Sequence, residues 1–290
     1  MADSKHAHFK PNLIFDVGMH EGEDTEFYLK KGFDVVAFEA NPDLIEASKQ
    51  SFASFIREKR LRIVEGAIVA DPSVEFIVFY KYAERSKWGT IEADVVQSSA
   101  KRAKGVIEIK VPTIDFAAVI REVGIPYYMK VDIEGADICC FEALKSFDCK
   151  PAYVSIEAIE QDIENQKLQI ELLTDLGYDY FKAVQQARMH RRTLPPVSSE
   201  GRTVEHQFAK GSSGPFGSDL GGRWRNRSEI ISDYDVIFRR NRHFTESLFW
   251  KSALIRKTVR PAIEWMTNVT VPGWYDTHAR HRSYHEPNML

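Results

Sequence analysis

Three short apolar runs in this chain end beside an acidic side chain that is followed by glycine or asparagine. The three segments are Asp16–Gly22, Glu39–Pro42 and Asp132–Gly135. Amphipathic stretches separate the runs, and this alternation is typical of βαβ units around a mostly parallel sheet. In such a sheet, ligands bind outside the carboxyl ends of the strands. The pattern therefore predicts an α/β fold in which the three acids face one crevice.

The same pattern of apolar runs and amphipathic stretches predicts the organisation of the whole chain. A mostly parallel, seven-stranded, Rossmann-like sheet flanked by helices occupies residues 1–240, and residues 234–239 form a last strand that returns to it. Within this domain, residues 185–230 form an irregular insertion, since they carry Pro195-Pro196 and a Ser/Gly-rich stretch. A long irregular segment of this kind is usually mobile or functional. Residues 241–290 are predicted to form a helical C-terminal extension.

Composition excludes several classes of partner. The 290 residues carry a formal charge of -3 with a pI near 6.3, which gives no reason to expect nucleic acid or an anionic membrane as partner. No apolar run reaches the length of a membrane span. The first ten residues are polar, so no signal peptide is predicted. Three cysteines, two of them adjacent, suit a reduced and cytoplasmic protein better than a disulfide framework.

The loop after the first run points to the cofactor. Gly18 and Gly22 would allow the backbone to approach a ligand, and Glu39, 21 residues after Gly18, could accept hydrogen bonds from both hydroxyls of an adenosine ribose. These features suit NAD and S-adenosylmethionine (SAM) equally. The loop lacks the G-x-G-x-x-G spacing of dinucleotide sites, however. Asp16 and Glu21 would repel a pyrophosphate, but they suit the ammonium and sulfonium charges of SAM, and the balance favours SAM.

Five sequence blocks in a fixed order resemble the FkbM-like family of class I SAM-dependent methyltransferases. The blocks are FDVGMHEGEDT (15–25), AFEANP (37–42), VPTIDF (111–116), MKVDIEGAD (129–137) and SIEA (155–158), and the resemblance covers roughly residues 12–184. MKVDIEGAD is the most specific of them. His20 departs from the family, which usually has asparagine there, although an imidazole can also donate a hydrogen bond.

The resemblance implies a class I methyltransferase fold, SAM as cofactor and S-adenosylhomocysteine as product. The implied acceptor is a hydroxyl on a sugar, a polysaccharide precursor or another secondary metabolite. It also implies a set of cofactor-binding residues, of which the last two lie near the adenine: Asp16, Gly18, His20, Gly22, Glu39, Asn41, Gly66 and Ala67.

Methyl transfer to a hydroxyl requires alignment and a base. Alignment of the acceptor with the S–CH₃ bond can supply roughly 7–11 kcal/mol of the barrier, and a base adds ~10²–10⁴-fold. Asp132, Glu134 and Glu157 are the candidate bases, and Lys130 could hold one carboxylate in its charged form or bind the acceptor. Strand alternation places residues 130, 132 and 134 on one face. Glu134 could instead cap the following helix.

Two groups of side chains have the composition of a metal site, but a simpler interpretation is favoured for each. The three candidate bases could bind Mg²⁺, but acidic clusters more often lack a metal, and none is predicted. His278, His281 and His285 have metal-like spacing, but a solvated polar tail is the favoured interpretation. The aromatic residues between 244 and 265 indicate core or homodimer contacts.

The irregular segment carries two basic clusters, residues 188–192 and 223–227. They are either solvated charges or part of a lid that binds an anionic acceptor through Arg191 and Arg192. Two other functions stay open at this point. One is an NAD(P)-dependent sugar oxidoreductase, and the other is a non-catalytic SAM-binding module.

Overall fold

The computed structural model describes residues 7–82, 85–90, 106–133, 135–159, 162–246 and 269–284, with positions 252, 261 and 266. The chain divides into two compact units. The first comprises residues 1–154 and 196–204, and the second comprises residues 155–195 and 205–290. The predicted domain boundary at residue 240 stays a prediction.

Seven strands form the main sheet in the order β10-β11-β9-β8-β1-β2-β3. β1 pairs in parallel with β2 and β8, β2 pairs in parallel with β3, and β11 runs antiparallel to β10. This is the mostly parallel sheet of the class I methyltransferase fold, and the predicted fold is confirmed. The strands are β1 (Phe9–Val17), β2 (Asp34–Glu39), β3 (Leu61–Glu65), β8 (Ile125–Val131), β9 (Tyr153–Glu157), β10 (Tyr178–Gln185) and β11 (Tyr275–His281).

A second sheet has the order β4-β7-β5-β6. β5 pairs antiparallel with both β6 and β7. Ala67, Phe79 and Val111 form a small buried core in this sheet. The strands are β4 (Ala67–Ile68), β5 (Phe76–Tyr82), β6 (Arg85–Thr90) and β7 (Val106–Ile114).

Short polar side chains fix where several helices begin. Asn41, Asp115 and Asp162 each accept a hydrogen bond from a backbone N–H in the first turn of the helix that follows. None of the helices in the described ranges is long and apolar enough to cross a membrane. The helices are α1 (Glu23–Lys30), α2 (Pro42–Ser51), α3 (Ala53–Arg57), α4 (Phe116–Val123), α5 (Asp137–Leu144), α6 (Ile163–Asp175) and α7 (Arg227–Glu246).

The last strand is not where the sequence predicted it. Residues 234–239 lie inside α7, whose buried residues Ile230, Tyr234, Phe238 and Asn241 recur at helical spacing. The strand that returns to the sheet is β11, within the range predicted as a helical extension, so that prediction is wrong for residues 275–281. The predicted solvated tail is also wrong for His278, which is buried in β11. Strand prediction looks for apolar residues, whereas β11 buries Asp276, His278 and Arg280.

The insertion is irregular, as predicted. Residues 196–204 within it, however, lie at the opposite end of the strands from the carboxyl edge that a lid would cover. Between β10 and α7 the described chain contains only two short 3-10 helices. Within the first unit, the backbone N–H of Arg202 donates to the carbonyl of Lys31, and the hydroxyl of Tyr127 donates to Glu200 at 2.7 Å. Lys31 precedes β2 and Tyr127 lies early in β8, so residues 196–204 pack at the amino-terminal edge of these strands. The lid prediction is therefore wrong for this stretch.

Candidate active site

The glycine loop follows β1 at the carboxyl edge of the sheet. Gly18 has a φ of +86°, and a Cβ there would overlap the carbonyl oxygen of Asp132 and lie 2.8 Å from its carbonyl carbon. Gly22 has a φ of +85°, and its Cβ would lie 2.5 Å from the Phe52 ring. The structure thus gives a different reason for these glycines than ligand approach: the loop packs directly against the backbone that follows β8 and against a core side chain.

Glu39 ends β2 and turns its carboxylate back onto the backbone around it. Oε2 accepts a hydrogen bond from the N–H of His20 at 3.0 Å, and Oε1 accepts from the N–H groups of Ala40 and Asn41 at 2.9 and 2.8 Å. Burial raises the pKa of Glu39, and the three hydrogen bonds oppose that rise. Since a carboxylate has about four acceptor positions, Oε2 retains one for a further donor.

His20 sits in the left-handed region, with a φ of 52°. Its Nδ1 lies 3.3 Å from Oε1 of Glu23, and its side chain is 38% exposed. The hydrogen bond to Glu23 raises the pKa of His20, and burial opposes it. Glu21 lies beside this pair, and the ligand atoms of His20, Glu21 and Glu23 fall within 4.8 Å of one another. These side chains make the glycine loop acidic.

We expect the substitution Glu23→Gln to lower the pKa of His20, because the charged acceptor of the imidazolium is removed. A histidine whose folded-state pKa is raised stabilises the fold below its unfolded pKa, and that contribution is lost as the pH rises through the folded-state pKa. NMR titration of the His20 imidazole measures the change. Glu26→Gln is the matched control, since Glu26 pairs with Lys30 on the same helix. An unchanged His20 pKa in Glu23→Gln would contradict this assignment.

Lys130, in β8, is the centre of a buried charge cluster. Its Nζ donates to the carbonyl oxygen of Gly18 at 3.0 Å. The same atom lies 3.5 Å from Asp16, 3.8 Å from Asp24 and 3.7 Å from Asp132. The Lys130 side chain is 6% exposed, that of Asp16 is 0% exposed and that of Asp132 is 41% exposed. One ammonium therefore joins the glycine loop to three carboxylates, of which Asp132 faces outward.

Asp16 is enclosed at the base of this cluster. Its Oδ2 accepts a hydrogen bond from the hydroxyl of Thr25 at 2.6 Å. Burial raises its pKa, while Lys130 and Thr25 oppose the rise. Direct contact of Asp16 with a cofactor stays a prediction; in this structure its carboxylate holds Lys130 and α1.

The loop after β8 is organised by Asp137. Its two carboxylate oxygens accept hydrogen bonds from the N–H groups of Ile133 and Gly135, at 3.1 and 3.0 Å. Burial and then the charge of Asp132 raise the pKa of Asp137. Glu134 lies outside the described residues. Asp137 thus fixes the turn that follows the partly exposed Asp132.

The remaining predicted cofactor residues lie beside Glu39. Asn41 is 1% exposed, and its Oδ1 accepts a hydrogen bond from the N–H of Asp43 at the start of α2. The N–H of Gly66 donates to the carbonyl of Glu39 at 2.8 Å. Ala67 is buried in the core of the second sheet. The Asn41 side chain therefore caps α2, and Ala67 packs in the core; contact of either residue with a cofactor stays a prediction.

Comparison with protein families shows the family to which this chain belongs. The family model of the methyltransferase FkbM domain matches residues 16–180, more than half of the chain. The chain belongs to the FkbM methyltransferase family.

Solved structures with similar folds include other methyltransferases. An FkbM methyltransferase from Methylobacillus flagellatus KT is 14% identical, with 61% of this chain and 41% of that chain covered and a TM-score of 0.37. The chain thus spans less than half the length of that relative. A SAM-dependent methyltransferase from Thiobacillus denitrificans, in complex with S-adenosyl-L-homocysteine, is 8% identical over 97% of this chain and 88% of that chain, with a TM-score of 0.33. No curated protein matches the chain significantly.

Other residues predicted for this FkbM protein belong to the second unit. Glu157 ends β9, and the side chain of Gln169 donates to its backbone carbonyl at 2.9 Å. Arg191 is exposed and Arg192 is half-buried at the end of a 3-10 helix. Burial lowers the pKa of Arg192. The roles of Glu157 as a base and of the two arginines as acceptor ligands stay predictions.

Three residues of the first unit were given no role by the sequence. The carboxylate of Asp24 lies 3.8 Å from the ammonium of Lys130, and the hydroxyl of Thr25 donates a hydrogen bond to Asp16. Asp137 organises the loop after β8. All three stand inside the sequence blocks shared with the FkbM family. Those blocks identified the site, but only side-chain contacts show which members hold others in place.

Proposed function

We propose that this chain binds SAM and transfers its methyl group to a hydroxyl of a sugar, a polysaccharide precursor or a secondary metabolite. Membership of the FkbM family carries this proposal, and the arrangement of Glu39 supports it. Glu39 stands at the carboxyl end of a parallel strand, where ligands of open α/β sheets bind. Its carboxylate keeps an acceptor position on Oε2, which suits a ribose hydroxyl.

The charges of the described site fit this cofactor. Glu21, Glu39 and Asp132 bring carboxylates to the carboxyl edge of the sheet, a setting that favours a ligand with ammonium and sulfonium charges. When bound, SAM supplies an electrophilic methyl group. The protein then has to hold that group and the acceptor oxygen in line, and the fixed loops after β1 and β8 serve this purpose.

We assign the general base to Asp132. Its side chain is the outward-facing carboxylate of the Lys130 cluster, and Asp137 fixes the turn that follows it. In this role Asp132 takes the proton of the acceptor hydroxyl as the oxygen attacks. Lys130, bonded to the Gly18 carbonyl, positions the glycine loop relative to Asp132. Glu134 and Glu157 remain alternative bases, and the proposed chemistry requires no metal.

The experiment that tests cofactor binding is isothermal titration calorimetry with S-adenosylhomocysteine. We expect Glu39→Gln to weaken binding about tenfold or more, because hydrogen bonds to a charged group contribute roughly 1.5–3 kcal/mol. Glutamine keeps an acceptor oxygen for the N–H groups of Ala40 and Asn41. It places an NH₂ group where Oε2 accepts from the N–H of His20, so the variant loses that hydrogen bond together with the proposed one to the ribose. Glu46→Gln, an exposed change on α2, is the control and should bind like the wild type. Binding of NAD in place of S-adenosylhomocysteine would refute the proposal.

A further inference from the structure

Basic side chains converge in the second unit around the loop at residues 220–221. The Nζ of Lys182, in β10, donates to the carbonyl oxygen of Leu220 at 2.7 Å. The guanidinium of Arg192 lies over the next residue, since a Cβ on Gly221 would be 3.9 Å from its Nη2. His278, in β11, is the direct cross-strand partner of Lys182. Three elements therefore bring two cations and an imidazole to one place.

Two of these side chains are buried. Lys182 is 6% exposed and His278 is 2% exposed. The Lys182 ammonium also lies 4.2 Å from the centre of the Trp224 ring, and Arg280 lies 5.5 Å from the same ring. The indole thus forms one wall of the basic cluster, which we define as Lys182, Arg192, His278 and Arg280.

Among the described residues, the elements that carry the basic cluster contain fewer buried carboxylates than cations. Asp219 and Asp276 are the buried carboxylates on the elements that carry it, against the three cations Lys182, Arg192 and Arg280. Burial, then Lys182 and Arg192, lower the pKa of His278 to about 3. The imidazole is therefore neutral at physiological pH, and Lys182 and Arg192 lie close enough to oppose its protonation.

The guanidinium of Arg192 has no partner among the residues that the structure describes. Its backbone N–H donates to the carbonyl of Met189, but no described residue forms a hydrogen bond or an ion pair with its guanidinium. It is half-buried, and burial alone lowers its pKa. Burying part of a guanidinium without an acceptor is unfavourable unless a ligand supplies one. Arg191, its neighbour, is exposed instead.

We infer that the basic cluster binds the phosphate group of a small molecule through Arg192, Lys182 and His278. Donors from three elements suit the several oxygens of a tetrahedral anion better than the two coplanar oxygens of a carboxylate. His278 in its neutral form can donate one hydrogen bond to the anion. The inference that the methyl acceptor carries this phosphate rests on the proposed function. The inference that the basic cluster binds phosphate does not.

The test is calorimetric titration of the full chain with inorganic phosphate, without SAM. We expect saturable binding with one site per chain. Arg192→Gln should weaken it about tenfold or more, as the loss of a charge-assisted hydrogen bond does. Arg191→Gln is the matched control: it removes the same charge one residue away and should change the affinity less than twofold. Because the Arg192 guanidinium has no protein partner among the described residues, thermal unfolding of both variants should match the wild type.

A second readout is the fluorescence of Trp224, which phosphate should change in the wild type and not in Trp224→Phe. Equal weakening in the Arg191 and Arg192 variants would indicate general surface charge and overturn the inference. So would the absence of saturable binding at millimolar phosphate, or binding of glucuronate without binding of phosphate. S-adenosylhomocysteine binding without phosphate binding would overturn this inference alone and leave the proposed function standing.

Discussion

Gly18→Ala lowers the free energy of unfolding of the first unit by about 3 kcal/mol or more and abolishes tight binding of S-adenosylhomocysteine. Two costs add: alanine in the left-handed region costs roughly 1–2 kcal/mol, and a forced backbone shift in packed structure typically costs 1–3 kcal/mol. The new methyl group would overlap the carbonyl of Asp132. The loops after β1 and β8 would have to separate, and these loops form the proposed site. Urea denaturation and calorimetry measure the two effects.

Gly211→Ala is the control that separates strain from steric overlap. Gly211 has a φ of +97°, but a Cβ there would meet nothing within 4 Å. This variant therefore incurs only the cost of the left-handed backbone, roughly 1–2 kcal/mol. If both variants lose the same stability, contact between Gly18 and Asp132 does not define the site.

Lys130→Met is expected to lower stability by roughly 3–5 kcal/mol at neutral pH, because it leaves buried carboxylates without their cation. Asp16 has no exposed surface, so water cannot replace the ammonium. The variant also loses the hydrogen bond to the Gly18 carbonyl, and S-adenosylhomocysteine binding should weaken with it. Denaturation of the wild type and the variant across a pH series measures the effect.

The pH dependence of this loss has a definite sign. The folded-state pKa of Asp16 is raised, so the folded state binds more protons than the unfolded state between the two pKa values. Stability therefore falls as the pH rises through that range. Removing Lys130 raises the pKa of Asp16 further, and the variant should lose less stability at acidic than at neutral pH.

Asp16→Asn in the Lys130→Met background tests the cause. An asparagine keeps an acceptor for Thr25 but carries no charge, so the double variant should recover much of the stability lost in Lys130→Met. Strict additivity of the two substitutions would show that Asp16 and Lys130 do not interact.

These experiments concern a division of roles inside one motif. The block 129–137 contains three residues with different roles. Lys130 holds the glycine loop, Asp132 has a 41% exposed side chain, and Asp137 fixes the turn that follows Asp132. A sequence motif marks all three alike. Only burial and contact distances separate the outward carboxylate from its supports.

The sequence by itself determined the α/β fold, the parallel strands and the acidic ends of β1, β2 and β8. Alternating apolar runs and glycine-flanked acids are local patterns, and strand ends in a parallel sheet necessarily meet at one edge. The shared blocks also identified the family, because their order and spacing are specific.

The tertiary structure alone decided three points. It placed the last strand at 275–281, where Asp276, His278 and Arg280 are buried. Contacts with residues distant in sequence bury these polar side chains, so the strand has no apolar pattern by which it could be predicted. It moved residues 196–204 to the amino-terminal edge of the strands through hydrogen bonds to Lys31 and Tyr127. It also distinguished the half-buried Arg192 from the exposed Arg191, because burial depends on residues that are distant in sequence. Local patterns determine secondary structure, whereas the environment of a charge depends on the whole fold.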